Sequence, residues 1–214
     1  MRTVVGVLLL VGLFAGYPHA GLGQQDVEFG VTVGGNWVTM DSPGASPDGY
    51  FSFTGGFVAR RPVLGGLSLQ SELLLTQRGA EIAADSAGSI EYGAVYLQVP
   101  LLLHVEAPAV QSVVFHAEGG GYGAVKLFER QTPGNDINVS LDTGASFFQR
   151  FDAGIVAGGG ASFTIAGQPF NVTVRREWGL PDVARDLQDQ PFPAAPLPDE
   201  GKTRAWVVLL RIGL

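Results

Sequence analysis

The residues of this chain whose types suit acid–base or metal chemistry are two of its three histidines and the carboxylates near them. His104 and His116 lie on either side of Ala107–Gln111, and Glu106 and Glu118 each follow two residues after a histidine. Imidazole nitrogens combined with a carboxylate can ligate zinc. A histidine beside a carboxylate and a hydroxyl is the usual core of a hydrolytic site. The remaining charges fall into a similar pattern. Arg60, Arg78, Lys126, Arg150, Arg175 and Arg211 are matched by Glu28, Glu72, Glu106, Glu118, Asp152 and Glu177, all on the polar parity of apolar–polar alternating segments. There is no cysteine, which excludes disulfides, thiolate nucleophiles and thiolate metal sites. No Ser/His/Asp set gathers near the long connections, where an external substrate would arrive, and both histidines fall at the opposite end. The expectation is therefore no catalytic residue, no cofactor-binding residue, no metal ligand set and no enzyme. The paired charges then serve as a structural network, because buried charges must be paired and hydrogen-bonded.

The elements that would position these residues are β-strands. From Val27 to Trp37 nearly every odd residue is apolar, while Glu28, Gly30, Thr32, Gly34 and Asn36 alternate with them. Successive strand side chains point to opposite faces, so each such segment has one apolar and one polar face. Eight segments follow this rule, at Val27–Val38, Gly49–Arg60, Gly66–Gly79, Ile90–Val105, Ser112–Phe128, Phe148–Ile165, Phe170–Leu180 and Thr203–Leu214. Parity is least secure in the last, which is apolar on both faces around Val207 and Leu209. The connections alternate short and long. Arg61–Gly65, Ala107–Gln111 and Ala166–Pro169 are short; Thr39–Asp48, Ala80–Ser89, Glu129–Phe147 and Pro181–Lys202 are longer. Tight periplasmic turns and longer external loops are the mark of an outer-membrane barrel. The fold class expected is all-β, an eight-stranded antiparallel transmembrane up-and-down β-barrel.

Composition agrees with membrane strands. Charged residues are 15% and hydrophobic residues 46%, yet no apolar run after the N-terminus approaches the ~20 residues a membrane helix needs. A net charge of −7 argues against a nucleic-acid partner. Arg2 followed by the apolar stretch Val4–Phe14 reads as an export signal, with cleavage near Ala20 or Gly23. Two segments result: a signal peptide over 1–23 and a barrel domain over 24–214. Trp37, Trp178 and Trp206 all have the apolar parity near the long-loop ends, as membrane–water boundary residues should. Phe29, Phe115 and Phe170 supply an opposing girdle. A soluble lipocalin-type barrel is the alternative, with its apolar face inward around a ligand. The glycines of the polar face, such as Gly56, Gly158 and Gly160, favour instead a narrow, crowded lumen. Asn138-Val139-Ser140 and Asn171-Val172-Thr173 match a glycosylation acceptor by chance.

Several segments in order resemble a known family. They are Gly34-Gly35-Asn36, Leu69-Gln70-Ser71-Glu72 through Gln77-Arg78-Gly79-Ala80, Tyr96-Leu97-Gln98-Val99-Pro100, Gly119-Gly120-Gly121-Tyr122, Phe151-Asp152-Ala153-Gly154 through Gly158-Gly159-Gly160, and Trp178-Gly179-Leu180. The chain resembles the small outer-membrane β-barrel domain family, the porin-family or PorT-like proteins of Gram-negative bacteria. That resemblance implies an eight-stranded barrel and no single shared activity. The functional expectation is a protein of the cell outer membrane with a structural, adhesive or loop-mediated binding role and a largely plugged polar lumen. Its partners would be outer-membrane lipid and a protein or surface partner reached by the external loops. A narrow channel for small solutes or ions, or an accessory barrel of a secretion or motility apparatus, is the alternative. If the facing is right, arginine at Leu101 should cost about 2–4 kcal/mol, and arginine at Gln70 less.

Overall fold

The computed structural model describes residues 27–41, 50–84, 88–133, 138–140, 150–180 and 202–213. The expected export signal and most of the long connections lie outside the described residues. The strands are β1 (Glu28–Asp41), β2 (Tyr50–Leu64), β3 (Leu67–Ala84), β4 (Gly88–Glu106), β5 (Val113–Pro133), β6 (Asn138–Ser140), β7 (Phe151–Ile165), β8 (Gln168–Gly179) and β9 (Lys202–Ile212). All pairings are antiparallel, in the order β4-β3-β2-β1-β9-β8-β7-β5, and β4 pairs with β5 to close an eight-stranded barrel. The chain ends meet in the wall, where β1 pairs β9 from Val31↔Ile212 to Asp41↔Lys202. Closure leaves none of the eight wall strands at an edge, which is why such a sheet can stand in hydrocarbon at all.

Side-chain parity sets inside and outside. Phe29, Phe57, Leu75, Leu103 and Val208 are exposed on the outer wall, while Gln70, Leu102, His104 and Arg211 are wholly buried in the lumen. Apolar-out and charged-in is the reverse of a lipocalin, and it removes that alternative. In β9, where the sequence is apolar on both faces, Trp206, Val208 and Leu210 face out, and Val207 and Leu209 face in.

The short turns sit at one end with the N-terminus of β1. Two of them are two-residue hairpins, Gly65-Gly66 between paired Leu64 and Leu67, and Ala166-Gly167 between paired Ile165 and Gln168. Both turn residues have positive φ in each case: 53° and 83° in the first, 51° and 82° in the second. Left-handed residues at both central positions match the twist of the flanking strands.

The other end is uneven. β3 and β4 continue pairing out to Ala84↔Gly88, so the connection expected over Ala80–Ser89 is mostly ladder. β5 likewise runs past Phe128 to Pro133, and β6 pairs with its outer part. These extensions carry no apolar alternation to announce them. Backbone hydrogen bonds hold such a ladder together with little help from side chains. Asn138-Val139-Ser140 is therefore β6 and not a loop.

Candidate functional site

The lumen is where the chain spends its chemistry. A cavity of about 360 Å³ opens at the short-turn end, lined among others by Glu28, Arg60, Ser68, Glu106 and Ser162. It stops at a floor of charged and amide side chains. Arg60 reaches Glu106 at 3.0 Å and donates through Nε and Nη2 to Gln70 Oε1 at 3.1 and 3.0 Å. Gln70 Nε2 donates in turn to Glu72 at 2.8 Å and Glu118 at 3.3 Å.

Beneath that floor two guanidiniums bridge two carboxylates. Arg211 holds Glu118 at 3.0 and 3.1 Å and Glu72 at 2.6 Å. Arg175 holds Glu72 at 2.7 Å and Glu177 at 3.0 Å. Gln98 donates to both oxygens of Glu177, and Arg78 donates to Gln98 Oε1 at 2.9 Å. Arg78 also pairs with Asp152, which accepts a bond from the Tyr122 hydroxyl at 3.0 Å. The Arg78 guanidinium lies 5.2 Å from the ring centres of both Tyr96 and Tyr122. A continuous set of charge-assisted bonds thus runs from the short-turn cavity deep toward the long-loop end. Each carboxylate meets at least one guanidinium, the condition under which buried charge is tolerated.

Glycine makes the room. Gly158 is the cross-strand partner of Arg175, and a Cβ there would sit 2.5 Å from Arg175 Cβ and 2.6 Å from the Val174 carbonyl oxygen. At Gly160 a Cβ would reach 2.8 Å from His116 Cε1. We expect Gly158→Val to cost at least about 1–3 kcal/mol, the usual penalty of overpacking a close-packed interior. Denaturant titration of the refolded barrel measures it; an unchanged midpoint would mean the Arg175 stem is not where it is described.

The histidines come together across the β4–β5 ladder. His104 is the cross-strand partner of Glu118, and Glu106 of His116. The two rings stack with centres 4.8 Å apart. His104, His116 and Glu118 each present a ligand-type atom within 4.8 Å of the others. The hydrogen bonding shows how those atoms are already used. His116 Nε2 donates to Thr173 Oγ1 at 3.0 Å, and its Nδ1 accepts from Asn171 Nδ2 at 3.4 Å. Both Glu118 oxygens are taken by Arg211. His104 Nε2 lies 3.2 Å from Glu106 Oε1, which leaves its Nδ1 as the one ring nitrogen of the pair with no hydrogen-bond partner. A divalent ion would have to displace Arg211 and bring its own charge beside it. The residues fit a hydrogen-bonded plug better than a metal centre. Asn171 and Thr173 are buried in this same network, so the asparagine of that acceptor-like triplet faces the lumen.

Most of the charges expected in the lumen are there. One is not: Arg150 is exposed, its guanidinium 5.8 Å from the Phe151 ring, whereas Glu28, though exposed, lines the mouth of the short-turn cavity with Arg60. Arg150 lies just before β7, where strand parity no longer fixes a side chain. Glu129 is the reverse case, fully buried and 3.0 Å from Lys126. Strict alternation forbids residues three apart from sharing a face. The register shifts where Val95↔Phe128 is followed by Tyr96↔Lys126, so Leu127 is the extra residue of a bulge. Leu127 and Phe128 both turn outward, and Glu129 returns to the lumen. Two successive apolar residues, Leu127-Phe128, were the available signal.

Comparison with known proteins agrees with this architecture. A profile of the outer membrane protein beta-barrel domain matches residues 22–185. No curated protein matches the chain. Among solved structures, Ail, the attachment invasion locus protein of Yersinia pestis, crystallised with the heparin analogue sucrose octasulfate, is 14% identical, covering 87% of this chain and 98% of its own, with a TM-score of 0.45. Neisserial surface protein A is 8% identical over 88% and 99% of the two chains, with a TM-score of 0.48. OprG of Pseudomonas aeruginosa is 11% identical over 87% and 91%, with a TM-score of 0.44. Likeness at this level carries nothing about role.

Proposed function

Because the chain belongs to the outer membrane protein beta-barrel domain family, we propose that it is a membrane-integral barrel with a closed lumen, acting structurally or adhesively through its long-loop end. The observation that carries this reading is the ion-pair network from Arg60 to Asp152, whose Arg175 and Arg211 side chains are wholly buried. Eight strands enclose a space that side chains can just fill, and here charged, amide and apolar side chains fill it. Short turns then face the periplasm and long loops the exterior, with residues 1–23 acting as the export signal. The long connections over 42–49 and 181–201, with the flanks of β6, supply the surface for a protein or cell-surface partner.

The barrel is not an enzyme in this reading. What supports that is the setting of His116: it meets a hydroxyl and lies near a carboxylate, but it is buried in the network and does not line the short-turn cavity. Planar-bilayer recording tests the closed lumen. The wild-type barrel should show no stepwise conductance, while Glu72→Ala combined with Arg175→Ala should open one. Steady wild-type conductance would replace the plug with a narrow channel. Deletion of residues 185–198 that leaves insertion intact but abolishes crosslinking to a surface partner would support the adhesive role.

A further inference from the structure

The outer wall of β8 carries a cation that the lumen network does not use. Arg176 lies between Arg175 and Glu177, which point inward, and so turns to the lipid side. Its guanidinium carbon is 4.8 Å from the ring centre of Trp206 and 5.8 Å from that of Trp178. Trp206 is in turn the cross-strand partner of Trp37. Three indoles on one stretch of outer wall mark the boundary between hydrocarbon and water. Arg176 therefore sits at headgroup depth.

A guanidinium laid against rings uses its faces and leaves its N–H edge for a planar, bidentate acceptor. Among the described residues no carboxylate or carbonyl takes that edge, since Glu177 is committed to Arg175, Gln98 and Arg78. A cation at the membrane surface calls for an anion. The wall immediately toward the short-turn end decides where that anion comes from. Val172, Val174, Val208 and Leu210 form an exposed apolar strip directly below the cage. A ligand that fits both parts has acyl chains along the strip and a phosphate at the guanidinium. Arg204, exposed and the cross-strand partner of Trp178, adds a second positive charge at the same level.

We propose that Arg176, held by Trp178 and Trp206, is a clamp for the headgroup phosphate of a membrane lipid on the long-loop side of the barrel. The assignment rests on the outer-membrane reading above. It is tested with the full chain refolded in phosphatidylcholine nanodiscs containing lipid A, a bisphosphorylated glycolipid. Native mass spectrometry then counts the lipid A retained on release. Wild type should retain lipid A in preference to phosphatidylcholine, and Arg176→Gln should lower the retained fraction about tenfold. Millimolar inorganic phosphate should not displace it. Equal retention by Arg176→Gln overturns the clamp, and displacement by inorganic phosphate overturns the lipid as its ligand. Arg176→Lys keeps the charge without the planar fork and should fall between the two; it carries the same test if the glutamine variant does not insert. Heat-modifiable gel mobility reports insertion separately, so a wild-type chain that fails to insert strikes the membrane reading itself, while a folded variant with unchanged retention strikes the clamp alone.

Discussion

An Arg211→Met barrel is expected to lose about 3–5 kcal/mol of folding stability, the cost of breaking a buried ion pair by removing one partner. Arg211 is wholly buried and holds Glu72 and Glu118 together, while also donating to Thr173 Oγ1 at 2.8 Å. Without it Glu118 keeps only the amide of Gln70, the His104 ring nitrogen at 3.7 Å and an Arg175 nitrogen at 3.7 Å, the last two too far for good hydrogen bonds. Methionine fills much of the volume, so the loss reports charge more than cavity. Urea unfolding in phospholipid vesicles, followed by tryptophan fluorescence, gives the number. The double variant Arg211→Met with Glu118→Gln should recover part of the loss, since the orphaned charge is gone. A single variant within about 0.5 kcal/mol of wild type, the scatter of an ordinary surface change, would mean that the network is not formed in the membrane.

Leu101→Arg is the second large effect, at about 2–4 kcal/mol, for the opposite reason: it puts a charge into hydrocarbon. Leu101, Leu103 and Val105 all face outward on β4 and step toward the short-turn end. Arginine substitutions along this row should cost progressively less, reaching about 0–1 kcal/mol near the interface. A flat profile would sink the facing. Arginine at Gln70, the control suggested by sequence, is a poor one once the lumen is seen. The Gln70 carbonyl accepts both bonds from Arg60, so a second guanidinium there would repel the first. Val105 on the same row is the cleaner reference.

The two predictions probe opposite walls of one alternating pattern, and that pattern was legible before any coordinates. A polar residue every second position, flanked by exposed-parity leucines and valines, leaves a strand only one way to stand in a membrane. Strand existence, antiparallel order, the position of the tryptophans and most of the lumen charges followed from period two. What failed did so where the period does not reach. Arg150 precedes its strand, Ala80–Ser89 carries no strong apolar signal, and Glu129 comes after a bulge that resets parity.

Sequence alone determined which face of each strand is apolar, because side-chain direction in a strand is a local property of the backbone. It could not choose partners. Arg211 finds Glu72 139 positions away, and Arg175 finds the same carboxylate across 103. Those meetings depend on closure of β1 on β9 and on the stagger of the ladders around the barrel. Only the tertiary structure decided that the expected mix of lumen charges is one connected plug, that both histidines are buried within it, and that the outward Arg176 meets the indole of Trp206 across the ladder. Register, a long-range quantity set by every ladder at once, is the physical reason.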